Sequence, residues 1–149
     1  MWDERQQYRL AMERRILREN MPDFTFHDPL GEATVEGDWE SSAGKKSHIV
    51  ISIPPGFPEE CPGCYISDPT PLLASDDTKL ERLGSNHMMH LWETDHPGWA
   101  KLCTYRPEGW SASHSIEKVL HKAMLWIEAY EGHLSSGRPI NHFLLDMPS

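Results

Sequence analysis

Residues 101–120, KLCTYRPEGWSASHSIEKVL, constrain the fold more than any other stretch, because they join a cysteine-bearing loop directly to the start of a helix. Pro107 and Gly109 impose a turn, since proline fixes φ and glycine accepts positive φ. Ile116, Val119, Leu120, Ala123, Met124, Ile127 and Tyr130 then recur at helical spacing. That pattern predicts an amphipathic helix from near Ser115 to about Glu131, with Gly132 and Gly137 marking its end and the exit loop. Cys103 therefore falls in irregular chain beside a packed helix, where a thiol is both reachable and held in place.

The rest of the chain supplies a frame for that junction. Residues 2–20 read as a first helix. Tyr8, Met12 and Ile16 at i+4 form its apolar stripe, with Leu10, Ala11 and Leu17 beside them. Arg5, Arg9, Arg14, Arg15 and Arg18 cover much of the remainder, as a solvated face or as a docking face for a protein partner. Pro22 ends the helix. Between residues 24 and 66 the pattern changes to period two. Short strands are expected at Phe24 and Phe26, at 34–39, at 48–53 and at 64–66, with Ile49, Ile51 and Ile53 on one face. Short connections make a four-stranded antiparallel meander the simplest topology. Residues 68–84 read as loop with a helical turn at 78–83, and residues 86–98 carry His87, His90 and His96. In the tail, Ile140, Phe143, Leu144 and Leu145 are apolar enough to pack back on the body.

Size and charge narrow the function classes. The 149 residues suit one α+β domain, residues 1–149, with a real core. A net charge of −9 argues against a nucleic-acid backbone as the main partner. No apolar run approaches a membrane span, and the N-terminus is charged from residue 3 with no apolar signal core. Three cysteines are odd in number and too few for a disulfide scaffold, so a cytoplasmic protein with reduced thiols is expected.

Three local matches, in order, resemble the ubiquitin-conjugating (UBC) family. They are the proline-rich IPPGFPEECP of residues 53–62 with its Phe57-Pro58 step, Cys103 followed seven residues later by Trp110-Ser111, and Ser115-Ile116 with Val119-Leu120 opening the central helix. The resemblance covers most of the chain. It implies a UBC-like fold with an N-terminal helix, a four-stranded meander, a cysteine loop, a central helix and a shortened C-terminus. It also implies that Cys103 carries an acyl group as a thioester and that Trp110 and Ser111 support the neighbouring loop. His96-Pro97 is followed by Gly98 where the family's His-Pro-Asn motif has asparagine, and it lies seven residues ahead of Cys103. Only a short tail follows Glu131. Both departures resemble compact bacterial UBC-like proteins encoded with antiphage (CBASS-like) systems, some of which join the C-terminus of a cGAS-like cyclic-oligonucleotide synthase to a target. The implied partners are such a nucleotidyltransferase or a ubiquitin-like modifier, engaged through its C-terminus, together with a separate activating enzyme. No cofactor is implied.

Each residue carries a plainer alternative. Cys103 is either the nucleophile or an inert core thiol. His96 is either part of the wall beside Cys103 or a turn histidine, and His90 with Trp92 could hold that place instead. Asp95 and Glu93 are candidates for orienting an incoming amine. Arg5 and Arg9 are candidates for partner binding. Cys61-Pro-Gly-Cys64 reads as a structural pair, half a zinc site or a redox dithiol; the strand pattern after Cys64 disfavours the last, and no standard second half-site supports zinc. No metal site is expected. Trp92 and Trp99 either shield Cys103 or pack the loop, and a non-catalytic UBC-like binding module is the alternative to an enzyme.

Overall fold

A computed structural model describes residues 2–29 and 31–144. Helix α1 (Glu4–Asn20) opens on a capping box: Asp3 accepts from the Gln6 N–H at 2.8 Å and Gln6 accepts from the Asp3 N–H at 3.0 Å. The buried side of α1 differs from the expected stripe. Leu10, Glu13 and Leu17 face inward, while Tyr8 is 68% and Met12 59% exposed. The cause is tertiary. The surface beside α1 contains the start of the second helix, whose free backbone N–H groups want a carboxylate rather than a methionine. Glu13 meets that demand and so sets the rotation of α1.

The sheet has six antiparallel strands rather than the expected four: β1 (Thr25–His27), β2 (Thr34–Glu40), β3 (Lys46–Ser52), β4 (Gly63–Asp68), β5 (Leu91–Trp92) and β6 (Ala100–Leu102). Their order is β1-β2-β3-β4-β6-β5, so the first four form the predicted meander. Strand β6 pairs with β4 and closes a long excursion of the chain, with β5 beside it at the edge. Two- and three-residue strands carry too few side chains to show a period, which is why β5 and β6 leave no signal in the sequence. Val35, Ile49, Ile51, Ile66 and Leu102 line the inner face and are fully or almost fully buried.

Helix α2 (Ile116–Ser136) lies across that inner face, burying Ile116, Val119, Leu120, Ala123, Trp126 and Ile127 in the same core. Each large side chain so buried contributes about 1.5–3 kcal/mol. Ser115 caps it, accepting from the Lys118 N–H at 3.1 Å. Gly132 does not end the helix. It lies within α2, where a Cβ would come 3.0 Å from the Phe143 ring, so its role is close approach. Gly137 makes the stop, at φ 77°, with its N–H on the His133 carbonyl. A 3-10 turn (Ile140–Phe143) then returns to the body, burying Ile140 and Leu144 but leaving Phe143 partly exposed; Leu145 lies outside the described residues. Among the described residues no helix is long and apolar enough to cross a membrane.

Candidate thiol site around Cys103

Cys103 directly follows β6 and is held by its backbone. Its N–H donates to the His90 carbonyl at 2.8 Å. The two carbonyls before that one are also taken: Met89 accepts from the Trp126 indole N–H at 3.0 Å, and Met88 accepts from the Asn141 N–H at 2.8 Å. Three successive carbonyls of residues 88–90 are thus satisfied by β6's end, α2 and the C-terminal turn, which is how irregular chain survives in a buried place. His90 is the pivot of this strap. It is 2% exposed, sits at φ 50°, and donates from Nε2 to Asn141 Oδ1 at 2.9 Å, leaving Nδ1 buried without a partner. Positive φ on a residue other than glycine is strained, and the four hydrogen bonds hold it there. Burial, reinforced by the charges of His87, Arg106 and Lys122, pulls the imidazole's pKa down, so it is the neutral ring that fills this position.

The side chains beside Cys103 come from the sheet register and from α2. Cys64 pairs with Leu102. Beyond Leu102 the chain leaves the strand, and Tyr105 comes to border the same groove as Cys61. Lys122, only 5% exposed on α2, places Nζ 3.8 Å from the centre of the Tyr105 ring. Burial raises the Cys103 pKa; Arg106 and Lys122 pull it back and Glu108 adds to the rise. The Cys61 thiol is pushed up to about 11, mainly by burial and then by Cys103, against the pull of Lys122 and Lys101. Burial also pushes the Cys64 thiol up. Lys122 is pulled down by burial first and by Lys118 second, while the two thiols push it up. Burial thus works against ionisation of the Cys61 and Cys103 thiols, with Lys122 opposing it at each and Arg106 at Cys103.

Trp110 locks the loop after Cys103. Its indole donates to the Pro58 carbonyl at 2.8 Å, and its ring meets Tyr105 edge-on at 5.2 Å; Tyr105 in turn stacks on His114 at 5.0 Å. Ser111 is exposed and shares a hydrogen bond with the Ser113 hydroxyl. Glu13 accepts from the Ile116 N–H at 2.8 Å and pairs with Arg9, whose guanidinium also donates to the Ala112 and His114 carbonyls. One groove of about 800 Å³ runs past this cluster, with Cys61, Tyr105, Trp110, Trp92, Glu93 and Asp95 in its walls.

The expected site residues do not all gather here. Cys103 and Trp110 do. His96 does not: its ring stacks on Trp99 at 4.7 Å and meets Tyr65 at 4.8 Å, and it is His90 whose carbonyl binds Cys103. Asp95 accepts from the Tyr65 hydroxyl at 2.7 Å, a bond that holds its carboxyl below the usual range. Trp99 packs on Tyr65, while Trp92 and the exposed Glu93 border the groove. Arg9 is engaged inside the chain; Arg5 is exposed. Cys64 points into the core and Cys61 into the groove, and among the described residues no three His, Cys, Asp or Glu side chains converge on a metal-sized point. Tyr105, Asn141 and Lys122 were not singled out from the sequence. For Lys122 a signal exists: it falls among the inward positions of α2, between Val119 and Trp126, where a lysine is out of place. No protein-family model, curated protein or solved structure matches this chain.

Proposed function

We propose that this chain is a UBC-like acyl carrier, in which Cys103 accepts the C-terminal carboxyl of a partner protein as a thioester and passes it on. The observation that carries the reading is the strap: the Cys103 N–H fixed on the His90 carbonyl, next to a loop that Trp110 ties to the Phe57-Pro58 turn and that leads straight into the Ser115-capped helix. A thiol with a raised pKa suits this role, because the incoming acyl group is already activated and a thioester sulfur must also leave again. In loading, the Cys103 sulfur gives up its proton and bonds to the acyl carbon, and the activating group departs with the electron pair. In transfer, an amine or thiol attacks that carbon, the C–S bond breaks and Cys103 regains a proton. The resemblance in sequence favours a cGAS-like nucleotidyltransferase or a ubiquitin-like modifier as the acyl donor, a separate chain as the activating enzyme, and antiphage defence as the setting.

A second reading, a UBC-like protein-binding module, is favoured by one observation: Cys103 is only 6% exposed. Purification with the products of the neighbouring genes, followed by intact mass of wild type and Cys103→Ala, separates the two. A carrier shows an adduct that hydroxylamine releases and that Cys103→Ala lacks. Equal retention of an unmodified partner by both proteins contradicts the carrier and supports the module.

A further inference from the structure

A buried neutral histidine becomes a liability in acid when the nitrogen that must take the next proton faces no acceptor. His90 meets that condition. Its Nε2 lies 2.9 Å from Asn141 Oδ1, an oxygen that only accepts, so the neutral ring carries its proton on Nε2. The next proton can enter only at Nδ1, which is buried without a hydrogen-bond partner. At 2% exposure the residue has little water to solvate the charge that would form. Its surroundings do not match that charge either. On the strap, the His87 ring stacks on His90 with centres 5.6 Å apart, and Arg106, from the loop after Cys103, donates to the His87 ring. Helix α2 brings Lys122, and all three groups oppose a positive His90. The C-terminal turn brings the uncharged Asn141, while its His142 is engaged by Arg138. The end of β6 brings Cys103, whose thiol burial keeps protonated in acid. Glu108, in the loop after it, bonds to neither ring, and among the described residues no carboxylate does.

We propose that the strap is an acid-released latch: a proton taken from solvent by His90 Nδ1 frees residues 88–90 from Asn141, Trp126 and Cys103 and uncovers the Cys103 thiol. The inference does not rest on the acyl-carrier reading. Little else resists release. The carbonyls of residues 88–90 each accept a single N–H, from Asn141, Trp126 and Cys103, and His90 leaves a positive φ of 50° when it opens. In the closed strap, burial and the neighbouring cations hold the ring's pKa below the usual 6.5, whereas a ring released to water takes the ordinary value. Closure is therefore fully favoured above that value. As pH falls below it, the open form alone gains the proton, and its share rises by up to about tenfold per pH unit until the closed ring's own pKa is reached. Cys103, 6% exposed while the strap is shut, becomes reachable in mild acid.

The test is hydrogen exchange read by NMR on the full chain, from about pH 7.5 to about pH 5, with each rate divided by that of an unstructured peptide at the same pH. The Trp126 indole N–H and the Cys103 amide report the strap, and the amides of β3 report the frame. Protection of both strap protons is expected to fall about tenfold over that range, in step with the His90 imidazole titrated in the same sample, while β3 stays protected. His90→Gln keeps a side-chain N–H for Asn141 and cannot take up the proton, so its strap protection should be level with pH. His87→Gln should keep the acid response. A response that persists in His90→Gln, or that β3 shares in full, overturns the latch. Should His90→Gln not fold, wild type decides alone: a His90 ring titrating above 6.5, or strap protection that stays level while that ring gains its proton, overturns it. In a Cys61→Ser background, reaction of Cys103 with 4,4′-dithiodipyridine, relative to a free cysteine peptide at the same pH, should rise in acid by the same factor. An unchanged relative rate overturns the uncovering of the thiol.

Discussion

The meander β2–β4 and the strap around residues 86–105 sit in one sheet yet are held by different forces. Strands β2 and β3 pair residue by residue from Thr34↔Ser52 to Glu40↔Lys46, and their inner side chains, Val35, Ile49 and Ile51, are fully buried. Most of the stability there is apolar area and a regular ladder. The strap has two residues of β5 and three of β6; otherwise it hangs on single bonds that reach across the chain, from Asn141, Trp126 and Cys103 to three neighbouring carbonyls. The frame tolerates loss of any one backbone bond. The strap has fewer such bonds in reserve, and Cys103 stands on it, where the geometry is set by a few separate contacts.

The contrast can be broken by mutation, and the largest effect belongs to the frame. Ile51→Ala should lower unfolding free energy by about 3 kcal/mol in urea titration while leaving Cys103 alkylation in native buffer nearly unchanged. Faster alkylation in that variant would show that frame and strap open as one unit. Glu13→Ala should come next, at about 2 kcal/mol, because it strips the Ile116 N–H of its acceptor and Arg9 of its partner. Asn141→Ala should reverse the pattern: about 1 kcal/mol of global stability, but a several-fold rise in Cys103 alkylation, since it frees His90 Nε2. Unchanged alkylation there would mean that the strap is not held through His90.

The smallest effect is electrostatic and lies on the frame. His48 bridges Asp38 at 2.8 Å and Glu36 at 3.1 Å. Burial alone would lower its pKa, but the hydrogen bonds to Asp38 and Glu36 outweigh that and raise it above the usual 6.5. A raised histidine stabilises fully below its unfolded value and loses the contribution as pH rises through the folded one. Denaturation of His48→Gln should therefore show a deficit of about 0.5 kcal/mol near pH 6 that has vanished near pH 9. A deficit that grows with pH would reverse the sign and discount the bridge.

The frame was legible in the sequence because its side chains repeat. Ile49 and Ile51 announce a strand, and Val119, Leu120, Ala123 and Ile127 announce α2. The direction in which α1 faces was not legible. Tyr8, Met12 and Ile16 make a good stripe on paper, but a charged residue, Glu13, won the buried side by capping a helix that begins more than a hundred residues later. That Cys103 and Trp110 stand in irregular chain ahead of α2 was legible from their spacing to the helix start. Between His96 and His90 the sequence left the choice of neighbour to Cys103 open; what distinguishes His90 is a backbone carbonyl and a left-handed φ, neither of which a sequence displays. Lys122 was visible as a polar residue in an apolar pattern, but its contact with the Tyr105 ring is one that only the fold creates.

The most direct measurement is which thiol becomes acylated. The full-length protein, with Cys103→Ala and Cys61→Ala beside it, would be incubated with a synthetic peptide α-thioester, and the adduct mapped by peptide mass spectrometry under mildly acidic conditions that preserve thioesters. A hydroxylamine-sensitive adduct on Cys103 in wild type and Cys61→Ala, absent from Cys103→Ala, is the expected result. Acylation of Cys61 alone, the thiol that lines the groove, or of neither cysteine, would contradict the placing of the acyl group on Cys103.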